Sequence, residues 1–466
     1  MKIKLAYIGG GSKQWARVFM NDLALTSDID GEIALYDIDI AAAERNAKIG
    51  ERINACGETK TRWKYVVCKS LDEALLGADF VALSILPGTF DEMAVDVHAP
   101  EKYGVFQSVG DTVGPGGVIR AMRTVPLYEV FAKAIKRCCP DAWVINFTNP
   151  MSICVKTLYD VFPQIKAFGC CHEVFHAQNF LCCVAAEELH VPRPNRHDLF
   201  TDASGINHFT WITQASYNGV DLLALLPSFI DKYFEDGYCE RTENPVDYKD
   251  DCFLCGNKVK MDLFRRYGVL AAAGDRHLVE FLSASQYLAN PKIVSDWGFA
   301  LTSVDFRKKQ QSERLQQSQR FADGREKVSV TPSDEEAIAL MKAVLGFGKI
   351  VSNVNMPNVG QMPDLPVGTI VETNCVFDRD SVRPIVANAL PSAVTELVKQ
   401  NAKNIDTCYE GIKNRDLYTV RQSFVDQPLL SELSSDKQNK LFCEMVEGTR
   451  KYLDEFFELD DFLKKS

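Results

Sequence analysis

The sequence predicts an α/β fold in which an N-terminal doubly wound parallel sheet is joined to a C-terminal mixed α+β domain. Six short apolar runs before residue 171 are typical of buried strands, and helical patterns separate them. Strands that alternate with helices build a parallel sheet. Beyond residue 175 the pattern changes to paired alternating strands over 198–218, followed by charged helices. We therefore expect one domain over residues 1–195 and a second over residues 196–466.

Composition restricts the classes of function. The chain has 466 residues, 46% of them hydrophobic, and a formal net charge of −11, which disfavours a nucleic-acid surface or anionic lipid. No apolar run approaches the roughly 20 residues of a membrane span, and the first residues lead into a strand without a signal-peptide pattern. Fifteen cysteines, an odd number, indicate reduced thiols. We expect a cytoplasmic protein without nucleic-acid or membrane partners.

The parallel strands predict where the chemistry lies. With crossovers of constant hand, the carboxyl ends of all six strands meet at one edge of the sheet. The segments that follow these ends would bring together Gly9, Asp37, Pro87, Asn149 and Cys171. The strands are predicted over residues 3–8, 32–36, 63–68, 79–86, 142–147 and 166–170.

The first strand is followed by a glycine turn and then by a helix from Trp15. Glycines let the backbone approach a pyrophosphate, and the helix N-terminus favours its charge. Gln14 stands where the fingerprint has its third glycine. Asp37 can accept hydrogen bonds from ribose hydroxyls and would repel a 2′-phosphate, so this Rossmann-like half is predicted to bind NAD rather than NADP. The predicted cofactor contacts are Gly9, Gly10, Gly11, Ser12, Asp37 and Pro87.

Two polar clusters interrupt apolar segments. A thiol, an imidazole and a carboxylate stand together at Cys171-His172-Glu173, and Asn207-His208 lies within an apolar strand. Burying such groups unpaired is costly, so His208 needs a partner. A metal shared with Cys171 would supply one, and a core histidine satisfied by a carbonyl is the structural alternative.

Three further segments carry predictions. The glycine-rich stretch 107–117 is predicted to be an irregular loop, with Asp111 and Thr112 as substrate contacts or as parts of an ordinary surface loop. Residues 353–361 indicate a second polar loop. Ser333 and Glu336 have capping-box spacing and predict a helix over 335–345.

Five motifs in order support a family resemblance. They lie at residues 8–12, 146–150, 171–173, 205–209 and 355–360. With them the chain resembles the NAD- and metal-dependent glycosidases of glycoside hydrolase family 4, from Lys4 to about Leu430. Within this family, the sequences of residues 107–117, 170–175 and 274–278 are most similar to those of the α-galacturonidase branch. The resemblance implies a lactate/malate dehydrogenase-like fold and a homodimer or homotetramer.

The resemblance also implies a mechanism that differs from two-carboxylate glycoside hydrolysis. NAD takes a hydride from C3 of the sugar, and the resulting ketone acidifies the proton on C2. A base removes that proton, a divalent cation stabilises the enediolate, and the glycosidic oxygen leaves. Water then adds to C1 and the ketone is reduced again. The implied substrate is a small α-D-galacturonide or an oligogalacturonide.

Residue roles follow from the matching motifs. Cys171 and His208 match the metal ligands, and two protein ligands leave positions open for substrate oxygens. Thiolate and imidazole favour zinc, whereas the family usually works with manganese, so Mn²⁺ is expected. His172 is expected to protonate the leaving group. The base is Tyr267 or Asp275. The substrate contacts, including an arginine for the uronate carboxylate, are expected at Asn149, Asp111, Arg120 and Arg276, with Arg123 a further candidate arginine.

Other functions are compatible with parts of the pattern. The chain could be an α-glucosidase or α-galactosidase of the same family. A plain NAD-dependent 2-hydroxy acid dehydrogenase has the same sheet but gives Cys171 and His208 no purpose. A non-enzymatic NAD-binding sensor is a third alternative, because fold does not prove chemistry.

Overall fold

The computed structural model describes residues 1–242 and 251–464. The strands in these ranges join into a single sheet. In chain order they are β1 (Lys2–Ile8), β2 (Asp30–Tyr36), β3 (Trp63–Val67), β4 (Phe80–Leu83), β5 (Trp143–Asn146), β6 (Lys166–Gly169), β7 (Phe200–Ile206), β8 (Phe209–Tyr217), β9 (Val220–Asp221), β10 (Leu270–Ala271), β11 (Ile350–Pro357), β12 (Ile370–Asp378) and β13 (Ser381–Pro384).

The N-terminal half of the sheet is parallel and has the spatial order β3-β2-β1-β4-β5-β6. This is the doubly wound order, in which ligands bind at the carboxyl ends where the order reverses. Side chains alternate between two cores: Leu5 and Tyr7 face one, and Ala6 and Ile8 face the other. All six predicted strands are confirmed. β4 is shorter than predicted because the Ile85 amide leaves the ladder and donates to the Thr148 hydroxyl.

The C-terminal half continues the same sheet with antiparallel strands. β11 pairs with β6 through Asn355 and Gly169, and β12, β7, β8 and β10 follow in that order. β13 pairs with β12, and β9 pairs with β8. The predicted fold class, a parallel doubly wound half joined to a mixed half, is therefore confirmed. Because the sheet runs through both halves, the boundary at 195/196 stays a prediction.

The predicted polar loop at 353–361 is wrong over its first half. Residues 350–357 form β11, and Asn353 and Asn355 are buried. Their amides donate to Asn374 Oδ1 at 2.5 Å and to Glu372 Oε1 at 2.8 Å on β12. Pairing between the two strands satisfies polar groups that the sequence places in a loop.

Helices cover both faces of the sheet and form the C-terminal layer. In the described ranges, no helix is both long and apolar enough to cross a membrane. In chain order the α-helices are α1 (Trp15–Leu25), α2 (Ile40–Asn54), α3 (Leu71–Leu75), α4 (Phe90–His98), α5 (Gly114–Cys138), α6 (Met151–Val161), α7 (Glu173–Leu189), α8 (Leu226–Tyr233), α9 (Lys258–Tyr267), α10 (Asp275–Leu278), α11 (Ala284–Tyr287), α12 (Pro291–Asp296), α13 (Val304–Asp323), α14 (Ala337–Val344), α15 (Ser392–Lys413), α16 (Leu417–Val425), α17 (Ser435–Gly448) and α18 (Leu459–Leu463).

Two local predictions need correction. The glycine-rich stretch is helical from Gly114, because its glycines allow close packing: a Cβ on Gly116 would lie 2.6 Å from the Gly110 carbonyl oxygen. The capping box at Ser333 does not form. Its hydroxyl accepts from the Glu335 amide and donates to Asp22, and α14 begins only at Ala337.

Candidate active site

The glycine turn after β1 is fixed by its own packing. Gly9 has φ +93°, and a Cβ there would lie 1.9 Å from the Ser84 carbonyl oxygen, so only glycine fits. The Asn46 amide donates to the carbonyls of Gly10 and Ser12 at 2.7 and 2.8 Å. The turn is therefore held in one shape before α1 begins.

Asp37 is joined directly to this turn. Its Oδ2 accepts from the Gly11 amide at 2.8 Å and its Oδ1 from the Asp39 amide at 2.9 Å. Each oxygen keeps capacity for a further donor, which fits a ribose hydroxyl. The other predicted cofactor contacts also have protein partners: Ser12 Oγ accepts from the Trp15 amide, and the Pro87 carbonyl accepts from Arg123 Nε at 2.9 Å.

Asn149 lies after β5 with an unused acceptor. Arg120 Nε donates to the Asn149 carbonyl at 3.0 Å and holds the backbone. The side-chain Oδ1 of Asn149 is buried and has no hydrogen-bond partner in the described part of the chain. A buried acceptor without a partner costs free energy, so this atom fits a donor from a bound ligand, such as a sugar hydroxyl.

His208 is the centre of a hydrogen-bonded relay. The Thr112 hydroxyl donates to Asp111 Oδ1 at 2.8 Å and lies 2.9 Å from His208 Nδ1. Because the hydroxyl proton goes to Asp111, the Thr112 oxygen accepts from His208 Nδ1–H. Burial lowers the pKa of His208 to about 3, so the ring is neutral at physiological pH. Its Nε2 therefore carries a lone pair, as a metal ligand requires.

Two other groups face His208. The ring of His277 lies 3.9 Å from that of His208, centroid to centroid. Glu173 lies 3.5 Å from His277 Nε2, and its Oε2 accepts from the Gly274 amide at 2.6 Å. Burial raises the pKa of Glu173, but His277, His176 and His172 outweigh it and hold the pKa well below its usual range. This carboxylate is therefore ionised.

Cys171 lies between buried carboxylates. Burial, Glu372 and Glu173 raise the pKa of its thiol well above the usual range, so the thiol is protonated without a cation. A divalent cation would offset these negative charges and favour the thiolate. A thiol, a neutral imidazole and nearby carboxylates thus form a donor set that fits a cation.

A second donor group overlaps the first. Ligand atoms of His172, Glu173 and His176 lie within 4.8 Å of one another. Among the residues that the structure describes, this is the group with three mutually close donors, and it does not include Cys171 or His208. The predicted pair therefore needs oxygens from elsewhere, such as the substrate, to complete a coordination shell.

His172 is suited to hold a proton. Its ring is partly exposed, stacks on Trp15 at 6.0 Å, and places Nδ1 3.3 Å from Glu335 Oε1. Burial lowers the pKa of His172, but Glu335 and Glu173 outweigh it and raise the pKa above the ordinary value. The raised pKa favours the protonated imidazole that a general acid needs.

Known proteins share this architecture. The sequence-family model for the Family 4 glycosyl hydrolases matches residues 4–187. The family model for the Family 4 glycosyl hydrolase C-terminal domain matches residues 203–430. The chain belongs to glycosyl hydrolase family 4. An alpha-galacturonidase of Thermoanaerobacter italicus is 49% identical over 97% of both chains. An alpha-galactosidase of Bacillus subtilis is 26% identical over 95% of this chain and 96% of its own.

Solved structures agree with the family membership. The crystal structure of the presumed glucosidase lplD from Bacillus subtilis is 44% identical and superposes with a TM-score of 0.90, covering 96% of this chain and 100% of that one. A 6-phospho-alpha-glucosidase from gut microorganisms, in complex with NAD and Mn²⁺, is 18% identical with a TM-score of 0.80 over 97% and 99%. The latter shows a shared fold.

In this family 4 chain, the two predicted bases lie at opposite ends of α9. The Asp275 oxygens accept from the amides of Val259 and Lys260, both at 3.0 Å, and burial raises the Asp275 pKa to about 6. Tyr267 packs edge-on against Trp211 at 5.8 Å. Within the described residues, no hydrogen bond, ion pair or ring contact joins either side chain to Cys171, His208 or Asn149.

Sequence reasoning missed Glu372 and the position of His277. Glu372 on β12 is fully buried and accepts from the Thr210 hydroxyl at 2.5 Å and from Asn355 at 2.8 Å. The sequence signal for Glu372 was an acidic residue within an apolar strand, because a buried carboxylate needs a partner. His277 stands next to the predicted residue Arg276, but its contact with His208 depends on how β8 and α10 pack.

Proposed function

We propose that this family 4 hydrolase is an α-galacturonidase that uses NAD and a divalent cation, Mn²⁺, to cleave α-D-galacturonides. The observation that carries the proposal is the nearly full-length match, at close to half identity, to relatives named for that activity. A relative named for galactosides is about half as similar. An activity without net redox change sets the proposal apart from a 2-hydroxy acid dehydrogenase.

The donor groups divide between two ligands. The glycine turn and Asp37 would hold NAD, and Cys171 with His208 would hold the cation. When bound, NAD supplies reversible oxidation of the sugar at C3, and the cation stabilises negative charge on the neighbouring oxygens.

The chain's own residues bind, orient and move protons. The Asn149 Oδ1 accepts a sugar hydroxyl, and Thr112 with Asp111 fixes the tautomer of His208. His172 donates a proton to the departing glycosidic oxygen. Of the two predicted bases, Tyr267 fits better, because both Asp275 oxygens already accept backbone amides at the start of α9.

We also propose a cytoplasmic location and a homo-oligomeric assembly. No disulfide joins cysteines in the described part of the chain, in line with a cytoplasmic location. A homodimer or homotetramer follows from the family resemblance. Sedimentation of the purified chain would test the assembly directly.

Hydrolysis in heavy water tests the proposed chemistry. If the C2 proton leaves during elimination, the released galacturonate carries deuterium at C2, which mass spectrometry detects. A two-carboxylate glycosidase leaves that bond intact. Unlabelled product from an enzyme that is also active without NAD would overturn the proposal.

Cofactor and substrate panels give the matching controls. Activity on a nitrophenyl galacturonide should require NAD, Mn²⁺ and reductant together, with no net NADH formed. Nitrophenyl galactoside and nitrophenyl glucoside, which carry the same aglycone, test for α-galactosidase and α-glucosidase activity. Faster turnover of either neutral sugar would refute the assignment to galacturonides.

A further inference from the structure

Two arginines converge on one aromatic ring beside the candidate active site. The guanidinium carbons of Arg276 and Arg307 lie 5.2 and 4.7 Å from the centre of the Phe253 ring. Arg276 immediately precedes His277, whose ring lies against that of His208. The cluster formed by Arg276, Arg307 and Phe253 is therefore adjacent to the proposed metal ligand.

Both arginines have unused hydrogen-bonding capacity. Arg276 donates through Nη2 to the Ser108 carbonyl at 3.0 Å and to the Thr302 hydroxyl, which are neutral groups. The Nε atoms of Arg276 and Arg307 are buried and have no hydrogen-bond partner among the described residues. Within residues 1–242 and 251–464, no salt bridge joins either side chain to a carboxylate.

Other arginines nearby are already engaged. Arg123 makes a two-pronged ion pair with Asp96, including a 3.0 Å contact from Nη1. Arg120 donates to the Asn149 carbonyl, and its charge acts on Asp111. Arg123 and Arg120 are thus bonded within the fold, whereas Arg276 and Arg307 make no ion pair among the described residues, and the carboxylates of Glu280 and Asp111 act on them only through their charge.

Two like charges held close together in a largely buried place are unfavourable without a counter-charge. Burial and the neighbouring Arg276 lower the pKa of Arg307, and Asp111 offsets this only in part. The planar guanidinium fork matches a carboxylate, with two parallel N–H donors for its two oxygens. Phe253 provides an apolar wall that keeps water away from such a contact.

We infer that Arg276 and Arg307 together bind the C6 carboxylate of the sugar and set the preference for uronides over neutral sugars. The inference rests on the proposed function, because it assigns the carboxylate of that substrate. Arg276 is oriented by its bonds to Ser108 and Thr302, and Arg307 closes the contact from α13.

Substitution of Arg307 tests the inference most cleanly, because this side chain is less deeply buried than Arg276. Arg307→Gln should lower kcat/KM for a nitrophenyl galacturonide by about 100-fold, mostly through KM, as loss of a charge-assisted contact predicts. Turnover of the matching galactoside should stay within about twofold. Arg307→Lys, which keeps the charge and loses the fork, should give an intermediate loss.

The matched control is Arg320→Gln on the same helix, because Arg320 pairs with Glu326 at 2.7 Å on the surface. It should leave both substrates unaffected, and circular dichroism should show that all variants fold. Equal losses on galacturonide and galactoside in Arg307→Gln, or no loss on either, would overturn the inference.

Calorimetry separates this inference from the proposed function. Galacturonate and galactose are titrated into wild type, Arg276→Gln and Arg307→Gln in the presence of NAD and Mn²⁺. If wild type cleaves no galacturonide, yet binds galacturonate through both arginines, the proposed activity fails and the carboxylate site stands. Equal binding of galacturonate by wild type and both variants would refute the carboxylate site, whatever the activity.

Discussion

The Thr112 hydroxyl accepts from His208 Nδ1 at 2.9 Å while it donates to Asp111, so a threonine decides which nitrogen of His208 is free. A hydroxyl can do both at once, whereas a carboxylate in direct contact would favour a charged ring. The relay therefore keeps a buried imidazole neutral and aims its lone pair away from Thr112. The arrangement resembles the hydrogen bonds that orient histidine ligands in metal sites.

Thr112→Val should weaken Mn²⁺ binding by about 10- to 100-fold, because it removes the relay and preserves the shape of the side chain. Calorimetric titration with Mn²⁺ measures the effect, and kcat/KM should fall in parallel at limiting metal. Thr157→Val is the matched control, since its buried hydroxyl donates to the Ile153 carbonyl within α6. Unchanged metal affinity in Thr112→Val would remove the relay from the mechanism.

Cys171→Ser should reduce activity by more than about 100-fold, because a hydroxyl replaces the proposed thiolate ligand. NAD should still bind with wild-type affinity, as fluorescence titration can measure. Cys170→Ser is the control, since Cys170 packs against the core of the sheet. Wild-type rates for Cys171→Ser in chelated buffer supplemented with manganese would show that the metal lies elsewhere, with His172, Glu173 and His176 as the next group to test.

Glu335→Gln should shift the basic limb of the pH–rate profile to lower pH. Glu335 helps to raise the pKa of His172 against the opposing effect of burial, so its loss lowers that pKa and the acid form disappears earlier. The measurement needs an alkyl galacturonide, whose leaving group requires a proton. Asp334→Asn, at the exposed neighbouring position, should leave the profile unchanged. Identical profiles for wild type and Glu335→Gln would argue against His172 as the acid.

Glu280→Gln should flatten the pH dependence of stability. Burial raises the pKa of Glu280 to about 7, although the amides of Val109 and Gly110 donate to it and lower the pKa. The folded state therefore holds the proton more tightly than the unfolded state between pH 4.5 and 7. The free energy of unfolding falls as pH rises through this window, by on the order of 3 kcal/mol.

Urea unfolding between pH 4.5 and 8 measures this slope. In the wild-type protein, the amides of Val109 and Gly110 both donate to Glu280 Oε1. The side-chain oxygen of a glutamine can accept both hydrogen bonds, so the variant should fold. Glu396→Gln is the control, because Glu396 is exposed and pairs only at the surface with Lys399. A slope in Glu280→Gln as steep as that of wild type would assign the pH dependence to other groups.

Local sequence patterns were sufficient for the parallel half of the fold. Short apolar runs in the sequence correspond to the buried strands. The glycine turn and Asp37 lie together at the predicted carboxyl edge of the sheet. The same reasoning failed where distant segments satisfy polar groups. The segment with Asn353 and Asn355 was predicted to be a loop because the hydrogen-bond partners of these asparagines lie on β12, far away in sequence. Residues 114–117 were predicted to be a loop because the groups against which their glycines pack lie outside the helix.

The sequence by itself determined the fold class, the family and the positions of Cys171, His172 and His208, since these depend on local periodicity and on motifs of adjacent residues. Only the tertiary structure decided how those residues can act. The tautomer of His208 depends on Thr112, which lies 96 positions away, and the ionisation of Glu173 depends on histidines from two elements. Likewise, Arg276 and Arg307 meet at Phe253 only after folding. Burial and proximity set protonation and charge balance, and neither quantity is encoded in a local pattern.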